Sequence, residues 1–180
     1  LGKVDLDTDV SRYLAVFSGQ PAGAITIRQL LSHTSGFSTF QGNLSHQDNT
    51  PHKNALERQV DQMAGEVPAH PPGERWEYSN LNYQILGRLI EVVSGQTYQA
   101  YIENHILKPV GMTHSFVADG EIHDAMAYGH RPWFGSKRPL DANRTDLSTA
   151  PQGGIIASAR DLARYMQMMM NGRDDVLSAK

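Results

Sequence analysis

Apolar residues recur at helical spacing in several segments of the chain. The clearest segment follows Tyr78, where the apolar stripe covers more than half of the circumference and predicts a mostly buried helix. Gly95 is placed to end that helix in the left-handed conformation. Apolar positions three and four apart predict another helix over roughly residues 53–65.

Two residue pairs have the spacing of a helix-starting capping box, Thr26 with Gln29 and Ser158 with Asp161. The first pair predicts a short helix that stops at Ser35-Gly36. The second predicts a helix through Asn171 whose apolar stripe faces inward. That stripe consists of Leu162, Tyr165, Met166 and Met169.

A further helix is expected over residues 97–106, capped by Thr97 and closed by Pro109 and Gly111. Residues 37–52 are predicted to form an exposed loop. Residues 67–73 contain three prolines and must be extended or turning. Residues 112–152 lack helical periodicity, and we expect short strands or ordered loops there.

The composition is that of a globular protein. The 180 residues carry 16 basic and 19 acidic side chains, a net charge of −3, and 39% hydrophobic residues. A pI near 6.2 gives no basic surface for nucleic acid. No apolar run approaches the ~18 residues of a membrane span. With no cysteine, the chain has neither disulfides nor thiol chemistry. We expect a single, mainly α-helical domain over residues 1–180, with short strands and long loops.

Self-contained catalytic signatures are absent from the sequence, including the G-x-S-x-G elbow, the H-E-x-x-H zinc helix and the phosphate-binding glycine loop. The densest group of metal-ligating residues is Glu121-Ile122-His123-Asp124. No two of the eight histidines lie four apart on a predicted helix. We therefore predict no metal site and no cofactor.

The segment before the buried helix carries the most informative polar residues. Tyr78 and Asn80 are two positions apart in a predicted extended stretch, so both side chains point the same way and can reach one cleft. The alternative is structural: Tyr78 packs its ring, while Ser79 or Asn80 only caps the helix.

Four stretches, in order along nearly the whole chain, resemble the serine β-lactamase and penicillin-binding-protein superfamily. The likeness is to its class C branch, with related esterases and D-amino-acid peptidases. The stretches are Gly2–Asp7, Ile25–Gly36 (ITIRQLLSHTSG), Tyr78–Gly95 with its Y-S-N motif, and Gly153–Leu162. The resemblance implies the helical region of an α+β fold whose sheet is built from flanking segments that are absent here.

The resemblance also implies an acyl-enzyme mechanism. In the family, an S-x-x-K motif supplies a nucleophilic serine and a lysine, and a later K-T-G or H-T-G strand lines the site. A tyrosine in the position of Tyr78 deprotonates the serine and passes the proton to the leaving group. An asparagine in the position of Asn80 binds the substrate and the lysine. The implied substrate is a small acyl compound: a β-lactam, a D-amino-acid peptide or a small ester.

Both flanking motifs are missing from this sequence, because no serine has a lysine three residues later and no K-T-G or H-T-G occurs. We therefore expect the chain to be the middle part of a larger domain and to be inactive alone. A phenol is a poor base without nearby cations, and here it has no serine to activate. We also expect the chain to self-associate through the apolar face that the sheet would cover.

Other residues have weaker functional interpretations. Gly153 and Gly154 are candidate substrate-binding positions, although a strained turn before a short strand also explains them. Trp133 is a candidate at the rim of the cleft, against ordinary packing. Trp76 is expected to be a core anchor. Ser35, close to His33 in sequence, is not expected to act as a nucleophile.

Two other functions remain open from the sequence. One is a non-catalytic helical module that binds ligands or partners through the same cleft, and the other is a metal-dependent hydrolase. The resemblance suggests a periplasmic, envelope or secreted location, but the sequence itself leaves the compartment open.

Overall fold

The computed structural model describes residues 2–44, 54–121, 123, 126–127, 129–139 and 147–171. The α-helices are α1 Ile27–Leu31, α2 Thr39–Leu44, α3 Ala55–Met63, α4 Asn80–Ser94, α5 Tyr98–Ile102, α6 Lys108–Val110, α7 Ala150–Gly153 and α8 Ala159–Met170. The strands are β1 Ser115–Val117, β2 His130–Trp133, β3 Ser136–Pro139 and β4 Ile155–Ala157. This mainly helical content with few short strands confirms the predicted fold class.

Side-chain caps start the helices as the sequence predicts. Thr26 Oγ1 accepts from Gln29 N at 3.2 Å, and Gln29 Oε1 accepts from Thr26 N at 2.9 Å, which completes the capping box of α1. Thr97 accepts from Ala100 N at the start of α5. Gly95 ends α4 with a left-handed φ of 71°.

Helix α4 is the centre of the core, as its broad apolar stripe predicts. Leu81, Ile85 and Leu89 are buried, and α1, α2, α3, α5 and α7 all pack against this helix. At Gly87 a Cβ would collide with the ring of Pro151 in α7. The glycine therefore lets α7 lie directly on α4.

Two expectations about helix boundaries are wrong. Residues 37–52 are not all loop, because α2 begins at Thr39. The side chains of Ser38 and Gln41 each accept a hydrogen bond from the other's backbone N–H, an S-x-x-Q capping box missed in the sequence. Residues 45–52 lie outside the described residues. The helical run from Tyr98 passes through a π-helical segment over residues 103–107 and continues beyond Ile106 and Pro109 to Val110, where Gly111 ends it as predicted.

Strands β1, β2 and β3 confirm the short strands expected in residues 112–152, whereas the short helix α7 corrects the expectation of strands and loops alone. Strand β1 pairs with β4, where Phe116 lies opposite Ile156. Strands β2 and β3 form a hairpin through Phe134 and Gly135, both of which have positive φ.

The orientation predicted for α8 is wrong. Its apolar stripe faces outward, with Met166 62% and Leu162 50% exposed. The face turned inward carries instead the buried Met168 and the buried Asp161 carboxylate, which accepts from His114 N at 2.7 Å and Ser115 Oγ at 2.9 Å. Of the helices described, none combines the length and apolar character that crossing a bilayer requires.

Candidate active site

Tyr78 lies at the end of an extended segment that leads into α4. Ser79 is the N-cap residue of that helix, with extended φ and ψ of −146° and 129°. Its side chain makes no capping hydrogen bond, so a capping role for Ser79 does not explain the motif.

Tyr78 and Asn80 lie together on an accessible surface, as their spacing predicts. The Tyr78 hydroxyl donates to Asn80 Oδ1 at 2.8 Å, and Tyr78 is 44% exposed. The phenol is thus held by a carboxamide at its polar end and open to solvent. The two side chains therefore lie close enough to contact one ligand.

Helix α2 binds the carbonyl of Tyr78 and the side chain of the residue before it. Thr39 Oγ1 donates to the Tyr78 carbonyl oxygen at 2.6 Å, and Thr39 N donates to Glu77 Oε1 at 2.9 Å. That N–H, together with the Arg75 guanidinium 2.7 Å from Glu77 Oε2, holds the pKa of the Glu77 carboxyl below its usual value. The start of α2 thereby fixes the segment that presents Tyr78.

The turn after α1 binds the same segment from its other edge. Glu77 N donates to the His33 carbonyl oxygen at 2.9 Å, and Gly73 N donates to that of Thr34 at 2.7 Å. Gly36 has a left-handed φ of 87°, and a Cβ there would collide with the carbonyl of His70. The H-T-S-G stretch is therefore a backbone partner of the segment that carries Tyr78.

Trp76 is not the core anchor that the sequence suggests, since it is 67% exposed. Alternation along the extended segment explains this: residues 76, 78 and 80 share one side of the chain, and that side is the open one. Trp76 therefore belongs with Tyr78 and Asn80 on the candidate site. The sequence signal for this exposure is the spacing of residues 76, 78 and 80 at every second position. It predicts the side on which Trp76 lies better than the apolar character of the indole does.

His33 is the second residue that the sequence reasoning undervalued. Its imidazole lies 4.7 Å from the Tyr78 ring and 5.3 Å from the Tyr83 ring, measured between centroids. Ser35, two residues later, is fully buried and donates to Asn82 Oδ1 at 2.6 Å. This agrees with the prediction that Ser35 is not a nucleophile.

The glycine pair lies between α7 and β4. Gly154 N donates to the Ala150 carbonyl, and Gly154 O accepts from Ala118 N at 2.7 Å; neither bond involves Tyr78 or Asn80. A Cβ on Gly154 would lie 2.6 Å from Ala150 Cα, while at Gly153 a Cβ would meet open space. Gly154 thus serves a close-packed turn before a short strand. Its φ of −91° corrects the expectation of backbone strain.

Trp133 is 43% exposed and lies on the β2–β3 hairpin. The guanidinium groups of Arg131 and Arg138 lie 5.8 and 5.2 Å from its ring centroid, and Phe134 packs edge-on at 5.1 Å. These are contacts within the hairpin itself. These contacts account for the packing of Trp133. Its place at the rim of the cleft stays a prediction.

The part of the chain that the structure describes contains no group of three His, Asp or Glu side chains suited to a metal ion. His123 pairs with Asp119 at 3.0 Å. Ile122 and Asp124 of the predicted cluster lie outside the described residues. Among the described histidines, His33 is of most interest because its ring contacts Tyr78 and Tyr83, and not as a metal ligand.

Comparison with known proteins supports the resemblance carried by these residues. A protein-family model described as Beta-lactamase matches residues 1–180. Protein flp of Staphylococcus aureus (strain MRSA252) is 34% identical to this chain. The alignment is 180 positions long and covers 96% of this chain and 35% of that protein. The chain thus spans about a third of the length of this relative.

Solved structures give the same fold. The octameric penicillin-binding protein homologue from Pyrococcus abyssi has a TM-score of 0.78 at 26% identity, over 98% of this chain and 42% of that one. A D-stereospecific amidohydrolase from a Streptomyces species has a TM-score of 0.72 at 27% identity, over 96% of this chain and 55% of that one.

Proposed function

The chain belongs to the β-lactamase family, whose members related to it are serine hydrolases acting through an acyl-enzyme, and we propose that it forms the central helical part of such an enzyme. In this proposal the substrate is a small acyl compound: a β-lactam, a D-amino-acid peptide or a small ester. Residues 1–180 contain no S-x-x-K motif, so the proposal assigns the nucleophilic serine to a segment outside them.

The observation that carries the proposal is the 2.8 Å hydrogen bond from the Tyr78 hydroxyl to Asn80 Oδ1 on an exposed surface. Tyr78 moves the proton between the serine and the leaving group. Asn80 uses Oδ1 to orient the phenol, which leaves its Nδ2 group as the donor for a substrate carbonyl. Trp133, Gly153 and Gly154 are proposed substrate neighbours.

The chain alone is proposed to be inactive. The Tyr78 phenol has no serine to activate in residues 1–180. It also lacks the lysine ammonium that would favour its charged, proton-accepting form. No cofactor takes part in this chemistry.

The test compares the full-length protein that contains this chain with the 180-residue chain alone. Each is assayed with a chromogenic ester and a chromogenic cephalosporin, and each is treated with a fluorophosphonate before peptide mass spectrometry. We expect turnover only by the full-length protein, with its adduct on a serine followed three residues later by lysine. Turnover by the chain alone, or an adduct on a serine within residues 1–180, would contradict the proposal.

A further inference from the structure

His33 occupies a position between the candidate proton-transfer residue and the buried core. Its ring stacks at 5.3 Å on Tyr83 and at 4.7 Å, tilted by 38°, on Tyr78, while Trp76 meets it edge-on at 6.2 Å. The imidazole is therefore part of the support on which the Tyr78 ring rests.

Hydrogen bonds determine which nitrogen of this ring carries the proton. The backbone N–H of Ser79, which can only donate, points at His33 Nδ1 at 3.2 Å. Asn82 Nδ2 lies 3.0 Å from the same nitrogen. Nδ1 therefore accepts, and the ring is neutral with its proton on Nε2.

The orientation of Asn82 is itself determined by its neighbours. The Ser35 hydroxyl, which accepts from Phe37 N, donates its own hydrogen to Asn82 Oδ1 at 2.6 Å. This leaves the amide group of Asn82 facing His33. Asn82 and Ser35 are both fully buried, so exchanging donor and acceptor here would leave buried polar groups unpaired.

The backbone of His33 is constrained as well. Its φ of 57° lies in the left-handed region, which only a few per cent of residues other than glycine adopt. In that conformation the carbonyl oxygen accepts from Glu77 N, and the ring accepts from Ser79 N. One residue thus binds the backbone on both sides of Tyr78 while its ring contacts the phenol.

We propose that His33 is a positioning residue for Tyr78, with the neutral imidazole fixing the Ser79 backbone through Nδ1 and supporting the phenol ring through its face. This inference rests on the proposed function. It assigns to the H-T-S-G stretch a part in the reaction, although His33 itself touches no reacting atom.

The surroundings of the ring favour its neutral form. Burial lowers the pKa of the His33 imidazole, in agreement with an Nδ1 that accepts from Ser79 N. The titratable groups that face the ring are the phenols of Tyr78 and Tyr83. On the adjacent segment, Glu77 pairs with Arg75 and His70.

The decisive test is a double-mutant cycle in the full-length protein. His33→Asn keeps an acceptor near the Nδ1 position and tolerates a left-handed backbone, but it removes the ring. We expect a fall of at least tenfold in kcat with KM changed less than twofold, and less than a twofold further effect of His33→Asn in a Tyr78→Phe background. His105→Asn, in the helical run after α5, is the matched control and should leave kcat unchanged.

Each outcome of the cycle decides something. If His33→Asn costs the same factor in both backgrounds, or leaves kcat unchanged where Tyr78→Phe lowers it, the positioning role is wrong and the proposed function stands. If Tyr78→Phe has no effect, the proposed function fails, and the positioning role fails with it.

Should His33→Asn fail to fold, two measurements remain. Nitrogen-15 spectra of the unaltered protein should show His33 with Nε2 protonated and Nδ1 unprotonated; a protonated Nδ1 overturns the proposal, because it cannot accept from Ser79. Asn82→Asp keeps the ring and the side-chain size but favours the imidazolium. It should shift the acid limb of the kcat profile to higher pH, and an unshifted limb in a folded variant counts against the proposal.

Discussion

Gly42 of α2 lies against the backbone nitrogen of Asn80, so close that a side chain would not fit between them. A Cβ on Gly42 would fall 2.6 Å from Asn80 N and 2.8 Å from Ser79 Oγ. Because the Asn80 atom belongs to the backbone, it can move away only by shifting the first turn of α4. Helix α2 therefore sets the position of the Y-S-N motif.

Replacing Gly42 with alanine should displace that motif. We expect a loss of about 1–3 kcal/mol in the free energy of unfolding, the usual cost of overpacking, measured by urea denaturation. The control is Gly65→Ala, where a Cβ would meet open space and the change should stay within about 0.5 kcal/mol. Equal effects of the two substitutions would show that α2 does not press on α4.

Glu77→Gln should make the stability of the chain less dependent on acid pH. The pKa of Glu77 is lowered in the folded state by the Thr39 N–H and by Arg75. The stabilisation is therefore present above the unfolded value near 4.5 and is lost as pH falls through the lower folded pKa. The wild type should exceed Glu77→Gln in urea midpoint at pH 7, and the difference should shrink below about pH 4.

The matched control for that measurement is Glu74→Gln, three residues earlier on the same segment. It removes an equal charge without touching Thr39. A pH-independent difference between Glu77→Gln and the wild type would contradict the assignment of the pKa shift to these contacts.

Asp161→Asn should release α8 from β1. Burial alone would raise the pKa of this carboxyl, but hydrogen bonds from Ser115 Oγ and His114 N and the charge of Arg164 outweigh it, and the pKa is lowered. Both bonds from the β1 side end on Oδ2, so an amide can keep them only by turning its NH₂ group, itself a donor, toward the Arg164 guanidinium that Oδ1 now binds. Hydrogen exchange of α8 should speed up, while α3 is unaffected. Asp61→Asn, on the exposed side of α3, should change neither helix.

The outward apolar stripe of α8 predicts self-association of the 180-residue chain. Leu162, Tyr165, Met166 and Met169 are all more than a third exposed, and such faces are unusual on monomers. Light scattering should show a mass that rises with concentration, and Met166→Lys should reduce that rise more than Gln167→Glu. A strictly monomeric, folded chain at high concentration would refute this.

Local signals in the sequence predicted the helices well, because capping boxes and C-terminal glycines act within a few residues of the ends that they set. The Thr26 capping box and the left-handed Gly95 are examples. The pairing of Tyr78 with Asn80 was equally predictable, since alternation in an extended segment is also local.

Two of the failures concern contacts between distant segments. The inward face of α8 carries Asp161, which accepts from Ser115 in β1, 46 residues earlier in the chain, and the periodicity of apolar residues gives no sign of that hydrogen bond. The role of His33 depends on Ser79 and Asn82, likewise 46 and 49 residues away. Trp76 was misjudged because apolar character was given more weight than its alternation with Tyr78.

The central claim is that the Tyr78 hydroxyl moves the proton in an acyl-transfer reaction. The most direct test is kcat of Tyr78→Phe in the full-length protein, beside Tyr101→Phe, which removes a hydroxyl from a partly buried ring in α5. Because general acid–base groups contribute roughly 10²–10⁴-fold, we predict that Tyr78→Phe lowers kcat at least about a hundredfold while Tyr101→Phe leaves it within twofold. A Tyr78→Phe enzyme that folds and keeps its kcat within twofold of the wild type would contradict the account.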